Sequence, residues 1–411
     1  MNRLLDAKIA ARQQAMEDSG LLRRRVRLST QIDASAVAGD SPIFIQDGKR
    51  FINFSSNDYL GLSAAPQLAQ ALYQGAQIFG VGSGASPLVT GYSDAHFALE
   101  QHLCELTGHE AALLFSSGFS ANSALMKTLF DKHDLVIADK LVHASIIDGL
   151  KDSDATLKRF IHNDVDSATR LMANSCCNVS ALITESVFSM DGDIAPLSRL
   201  SALCREHGAW FIVDDAHGFG VIGGQGLGAS QLADIDAQVI TFGKALGCQG
   251  AAILGPQRTI DFLVSHAREY VYSTALSPAN AHLALAACHL LQSEPERLEQ
   301  LQQNIRHFKQ LCHENQLPLL PSDTAIQPLI IGDSHTTMQI SDALRAQGFW
   351  LGAIRPPTVP LGSARLRLTL TARHSQADIE RCVMALAQVF HQFKLIGGGV
   401  SEDASQSDTQ G

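Results

Sequence analysis

The segment ITFGKALG, residues 240–247, ends an apolar run on a lysine that follows a glycine. Gly243, Gly247 and Gly250 surround Lys244 without bulky side chains, so a ligand can approach its amine closely. A lysine at a strand end is, taken alone, an ordinary solvated residue. An amine that attacks a carbonyl must be neutral, and burial drives lysine toward that form. A second apolar run, WFIVDDAHGFG over 210–220, delivers Asp214, Asp215 and His217 onto its carboxyl end. Pyridoxal 5'-phosphate (PLP) is an electron sink only while its pyridine nitrogen stays protonated, and a carboxylate beside that nitrogen keeps it so. Asp214 is the candidate for that carboxylate, and His217 for a hydrogen bond to the ring hydroxyl. A lone Asp-Asp pair would instead mean a surface loop with an acidic cap at Asp215. The lysine at the end of the next strand turns the reading toward a cofactor.

The remaining polar groups fall at similar places. SSGFSAN (116–122) follows the run AALLF and opens a helix, so the N–H groups of Gly118, Phe119 and Ser120 can face a phosphate at the positive end of the helix. Thr241 and the pair Ser273-Thr274 add hydroxyls. His143, in KLVHASI, stands where it could stack on a bound ring, and Ser189 lies on the loop SVFSMDGD (186–193). In AIRPPTVPLGSARLRLTLTA (353–372), Pro356-Pro357 predicts an extended segment that exposes Arg355. The alternating RLRLTLT run puts Arg365 and Arg367 on one face, where guanidinium forks can bind carboxylates. A rival signal overlaps this set. Gly218–Gly223 matches G-x-G-x-x-G after a strand and would mark a dinucleotide-binding oxidoreductase. GGQGLGAS follows it, however, where a helix should open, and the motif lies far from the start of the chain.

The elements that must hold these residues read as follows. Residues 1–28 predict an amphipathic helix with a basic end at Arg23, Arg24, Arg25 and Arg27, and 42–54 a hairpin turning at Asp47-Gly48. Between 105 and 255, apolar runs at 111–115, 135–139, 181–186, 210–215 and 239–243 alternate with helical stretches at 119–130, 145–152, 165–174 and 197–207. That alternation means a largely parallel α/β sheet with its site at the strand ends. Segment 277–313 predicts continuous helix, and 318–393 a mixture of strands with helices at 338–347 and 376–393. The divisions expected are an N-terminal segment over 1–54, a large α/β domain over 55–285, a small α+β domain over 286–395 and a disordered tail over 396–411.

The chain of 411 residues is 45% apolar and carries a net charge of -10, ample for a large core and unsuited to general attraction of nucleic acid or anionic membranes. An anionic substrate must therefore meet a local cluster of positive charge. None of the eight cysteines forms a C-x-x-C pair, which predicts reduced thiols, and the charged N-terminus has no signal-peptide core. A soluble cytoplasmic protein without a bound metal is expected.

From LLRRRV to about residue 393 the chain resembles the α-oxoamine synthase family of PLP-dependent enzymes. SSNDYLGL, SSGFSAN, HASI, VFSMDGD, VDDAHG, TFGKALG, YST and RPPTVP with ARLRLT stand in the family order. The resemblance implies the fold type I, aspartate aminotransferase-like α/β architecture: a central, mostly parallel sheet with a smaller α+β C-terminal domain. It implies Lys244 as the Schiff-base lysine, Asp214 as the pyridine-nitrogen partner, His217 as the ring-hydroxyl partner and His143 as the stacking histidine. Gly118, Phe119, Ser189 and Thr241 would touch the cofactor. Ser273 and Thr274 would reach the phosphate in a neighbouring subunit's site, which implies a homodimer. Arg367 would bind the amino-acid carboxylate, Arg23 and Thr358 the acyl substrate, and Asn57 is similar to an active-site asparagine. RPPTVP, HND (162–164) and SNDYLGLS are most similar to the branch that joins L-alanine to a pimeloyl thioester of coenzyme A or acyl carrier protein. The chain departs from the family at Ala85 and Pro87, within GSGASPLVTGY, and at Gln249. These positions bear on which substrate is used, with glycine and another acyl thioester as the alternative. A binding protein on the same fold is the remaining one, and an intact Lys244 argues against it.

Overall fold

The computed structural model describes residues 3–19, 21–23, 25–29, 41–175 and 177–396. The apolar runs of the middle of the chain become strands β3 (Ala111–Phe115), β4 (Leu135–Asp139), β6 (Ala181–Glu185), β7 (Trp210–Asp214) and β8 (Ala237–Thr241). Two further strands, β5 (Thr156–Phe160) and β9 (Ala251–Gly255), complete a seven-stranded sheet of order β3-β9-β8-β7-β6-β4-β5. β4, β5, β6, β7 and β8 pair in parallel, while β9 runs antiparallel to both β3 and β8. Lys158 and Arg159 lie on the edge strand β5, where charge discourages pairing with another sheet.

Both faces of the sheet are covered, which is why the inner strands read as continuous apolar runs. Leu113 and Val239 pack into one layer, Leu114 and Ile240 into the opposite one. Ile183, Val213 and Ile240 are 0% exposed, and burying each such side chain contributes roughly 1.5–3 kcal/mol. The helices Gly118–Leu129, Ala144–Asp152, Val165–Ala173 and Leu197–His207 fall within a residue or so of the expected stretches. The parallel strands bring the loops after β3, β4, β6, β7 and β8 to one edge of the sheet, and every candidate catalytic residue lies on one of them.

At the ends of the chain, β1 (Ile43–Gln46) and β2 (Lys49–Asn53) form the expected hairpin, with Asp47 at φ 49° and Gly48 at φ 76°. β2 then pairs in parallel with β11 (Phe349–Trp350), Ile52 opposite Phe349. Phe44 and Phe51 stack at 5.7 Å, and Trp350 meets Phe44 edge-on at 5.0 Å. A third sheet sets β10 (Ile326–Gly332) and β12 (Gly352–Ile354) on either side of β13 (Ala364–Thr369).

Three expectations are corrected. The first helix covers only Leu4–Asp18 and buries no residue, so it has no apolar stripe and stops before the arginines. The stretch 277–313 is two helices, Pro278–Ser293 and Glu296–Glu314, because Pro295 offers no N–H and interrupts the ladder. Pro356-Pro357 lies in a turn, closed by the Thr358 N–H to the Arg355 carbonyl at 3.1 Å, and Arg355 is half-buried. The expected tail falls almost wholly outside the described residues. Cys104, Cys177, Cys204, Cys248, Cys288, Cys312 and Cys382 are free thiols. Among the described residues no helix is long and apolar enough to cross a membrane, and no group of side chains is arranged to hold a metal.

Candidate active site

Lys244 follows β8 in a turn closed by the Gly247 N–H to its own carbonyl at 3.0 Å. Burial pushes its amine down to about 8, against the opposing pull of the Asp214 and Glu185 carboxylates. A substantial neutral fraction at physiological pH is what condensation with an aldehyde needs. Asp214 ends β7 and is 5% exposed. Its Oδ1 accepts the Ala216 N–H at 3.0 Å and its Oδ2 the Asn122 amide at 2.7 Å, so the carboxylate is held rigidly at the strand end. The neighbouring Asp215 points the other way, into the protein. It accepts from Ala229 N–H at 2.9 Å and Gln238 at 2.7 Å, as well as from Ser186, and burial raises it to about 7. Both Asp215 oxygens are thus taken up by donors from the protein.

His217 is buried, and burial together with the charges of Lys244, Arg367 and His143 holds it well below the usual imidazole range. Its Nδ1 lies 2.6 Å from the Tyr59 hydroxyl. Burial raises Tyr59 to about 12, so the phenol keeps its proton; the same hydroxyl also lies 3.4 Å from the acceptor Asn57 Oδ1. SSNDYLGLS was singled out as a motif, but this role for its tyrosine was not; only the contact across 158 residues reveals it.

Glu185 is the other residue the strand pattern conceals. It ends β6 opposite Asp214 in register, is 3% exposed, and is raised well above the ordinary carboxyl range by burial and then by Asp214. Read in sequence, it is merely the polar end of ALITES.

The segment expected to cup a phosphate opens the helix Gly118–Leu129. Ser117 caps the helix Gly118–Leu129 by accepting the Ser120 N–H at 3.2 Å. A Cβ on Gly118 would stand 2.6 Å from Thr241 Cγ2, so only glycine lets this helix end close on β8. Phe119 is half exposed beside it. Arg367, on β13, is 8% exposed. Its Nε donates to the Ser189 carbonyl at 2.6 Å and one terminal nitrogen to Asn57 Oδ1 at 3.1 Å, which joins β13, the loop after β6 and the SSNDYLGLS segment. Arg365 is spent differently, on an ion pair with Asp191. The side chains of Arg23 and Thr358, 335 positions apart, meet at 3.0 Å. Beside Thr358 opens a cavity of about 530 Å³ lined by Leu141, Phe188, Met190 and Val359. Ser273 and Thr274 are exposed and are not brought to the cluster around Lys244. Gly218–Gly223 forms tight turns with no helix opening from it, and Gly220 and Gly223 have φ of 88° and 84°. The dinucleotide reading therefore lacks its structural half.

These residues fit PLP: an amine of lowered basicity, a buried carboxylate held by two donors, a neutral histidine and a helix N-terminus that only glycine allows to approach β8. The comparisons agree. The profile of the family described as aminotransferase class I and II matches residues 49–386. An 8-amino-7-oxononanoate synthase of Photobacterium profundum is 46% identical over 396 residues, 95% of this chain and 98% of that protein. Among solved structures, a serine palmitoyltransferase of S. paucimobilis with a bound PLP–myriocin adduct is similar at a TM-score of 0.86 and 27% identity, covering 96% of this chain and 100% of that one. The 8-amino-7-oxononanoate synthase of Francisella tularensis is similar at a TM-score of 0.74 and 31% identity, over 84% of this chain and 99% of that one. The chain belongs to the aminotransferase class I and II family and, within it, to the PLP-dependent α-oxoamine synthases.

Proposed function

We propose that this protein condenses L-alanine with a pimeloyl thioester, releasing carbon dioxide and the free thiol and forming 8-amino-7-oxononanoate on the way to biotin. The observation that carries the chemistry is the amine of Lys244, lowered to about 8 by desolvation and set among Asp214, Glu185 and Arg367. When bound, PLP supplies an aldehyde and a protonated ring that draws electron density from the amino acid's α-carbon. The chain's own residues do the rest. Lys244 Nζ would hold the cofactor and would serve as the base for the proton on the amino acid's Cα. Arg367 grips the alanine carboxylate, pre-aligned by Ser189 and Asn57. Asp214 would keep a proton on the ring nitrogen. Tyr59 holds His217 at Nδ1, which would leave Nε2 to pair with the ring hydroxyl. His143 would cover the ring. Gly118, Phe119, Ser189 and Thr241 line the cofactor and its phosphate.

The cavity beside Thr358 suits a methylene chain, with Arg23 at its rim to meet the distal carboxylate and Arg355 nearby. Exposure of Ser273 and Thr274 supports the reading that they serve a second subunit's phosphate in a homodimer. We read the enzyme as cytoplasmic, with the sheet of β3–β9 as the cofactor domain and the β10–β13 region as the smaller one.

The test is thiol release from pimeloyl-CoA with alanine, glycine or serine as partner. Turnover with alanine well above the other two is expected. Preference for glycine or serine would keep the family and replace the substrate.

A further inference from the structure

Behind Asp214, Asn122 and Ser145 are 3% and 0% exposed, and beyond Asn122's bond to Asp214 neither has a role above. Asn122 projects from the helix Gly118–Leu129, and Ser145 lies in the first turn of the helix Ala144–Asp152. Asn122 Nδ2 is 2.7 Å from Asp214 Oδ2 and 3.1 Å from Ser145 Oγ. An ionised carboxylate only accepts, so Asn122 must present its NH2 group there, and its two hydrogens go to Asp214 and Ser145. Ser145 Oγ is thus an acceptor on one side. Its own hydrogen is free for its other neighbour, His143 Nδ1, at 2.7 Å. The same Nδ1 faces the backbone N–H of Ser145 at 3.3 Å, a group that can only donate. Two donors converge on Nδ1, so a neutral His143 carries its hydrogen on Nε2.

We infer that Asn122 and Ser145 are positioning residues that lock His143 as the Nε2–H tautomer and tie that lock to the Asp214 carboxylate. The inference deepens the reading of Asp214 and His143 given above, but the tautomer itself does not depend on the reaction. Its consequence is a division of labour. Toward whatever lies over the ring, Nε2–H of His143 is a donor, suited to a carboxylate or thioester oxygen. It cannot take up the α-proton, which leaves that task to Lys244. Asn122, forked between the two, carries both the pyridine-nitrogen partner and the tautomer lock.

The experiment is 15N NMR of the histidine-labelled holoenzyme at a pH above 8, where ordinary imidazoles are neutral. The His143 signals are identified by their loss in His143→Asn. We expect Nδ1 in the range of an unprotonated ring nitrogen and Nε2 in that of a protonated one. In Ser145→Ala the two signals should move toward each other as the tautomers mix, and Ser145→Thr, which keeps the hydroxyl, should restore them. Asn122→Ala loses a hydrogen bond to a charged group, and the PLP dissociation constant should rise about tenfold. A protonated Nδ1 in the wild-type enzyme overturns the lock, whatever the variants do. Unchanged signals in Ser145→Ala overturn the role of the hydroxyl, and an unchanged PLP dissociation constant in Asn122→Ala overturns the link to Asp214. Full turnover in Lys244→Ala would sink the proposed reaction instead and leave the tautomer untouched.

Discussion

Lys244 and Arg23 are both cations nominated for ligand binding, and the protein treats them in opposite ways. Lys244 is half-buried just after β8, where desolvation lowers the basicity of its amine. Arg23 is exposed and reaches Thr358 by a single side-chain hydrogen bond. The contrast extends to their neighbours. The ends of the large sheet's strands hold buried carboxylates and lead to His217, with Arg367 reaching in from within β13, whereas Arg23 and Thr358 lie on loops and turns. On the proposed reading, selection among thioesters falls to the rim and bond-making to the cluster at the strand ends. Burial is effective there because desolvation alters an amine by far more than a surface contact can.

The contrast can be broken most directly at Lys244. Lys244→Ala should lower turnover by at least about 10⁴-fold in a thiol-release assay, since both cofactor attachment and proton removal are lost. Retained turnover would end the distinction between the two regions. Asp214→Ala should cost about 10²–10³-fold in kcat, the range for removing one preorganised electrostatic partner of a developing charge. A loss below threefold would mean that the ring nitrogen is supported elsewhere. Tyr59→Phe removes the hydroxyl that holds His217 Nδ1 and should lower kcat about tenfold, with a shifted cofactor absorption band as the accompanying sign. At the rim, Thr358→Ala should raise KM for the thioester about threefold and leave kcat near wild type. A fall in kcat there would place the rim within the chemistry.

The smallest effect concerns stability. Burial alone would lower His162, but its hydrogen bonds to Asp139 at 3.0 Å and Asp193 at 2.7 Å outweigh it and raise the imidazole from 6.5 to about 10. The folded state therefore holds this proton more tightly than the unfolded chain does. The stabilisation is complete below about pH 6.5 and is lost as pH rises toward 10. The urea midpoint should fall over that interval, and His162→Gln should flatten the dependence. An equally steep fall in that variant would assign it to other groups.

Much of this could be read before any fold was known, because strands buried on both faces must be apolar throughout and their carboxyl ends must carry whatever is polar. Lys244, Asp214, His217 and the Gly118 helix start all satisfy that rule. Glu185 satisfies it too, yet it escaped notice, because its character comes from facing Asp214 across a strand pair. Tyr59 was hidden for a related reason: its partner lies in another element, and no local spacing encodes the contact. β9 is an apolar run that the expected strands did not include, and its antiparallel direction leaves no mark on such a run. Pro295 was legible in principle, but the helical spacing of alanine and leucine on its N-terminal side obscured the break.

The pairing of β2 with β11 has a consequence in time. A ribosome adding about 5–20 residues per second needs about 15–60 s to travel the roughly 300 residues from Ile52 to Phe349. For that interval the hairpin has emerged while the strand that completes its sheet does not yet exist, and Phe44 and Phe51 wait without Trp350. The first strands made are therefore among the last to be covered, and a nascent chain stalled before residue 349 presents that aromatic pair to whatever chaperone is nearest.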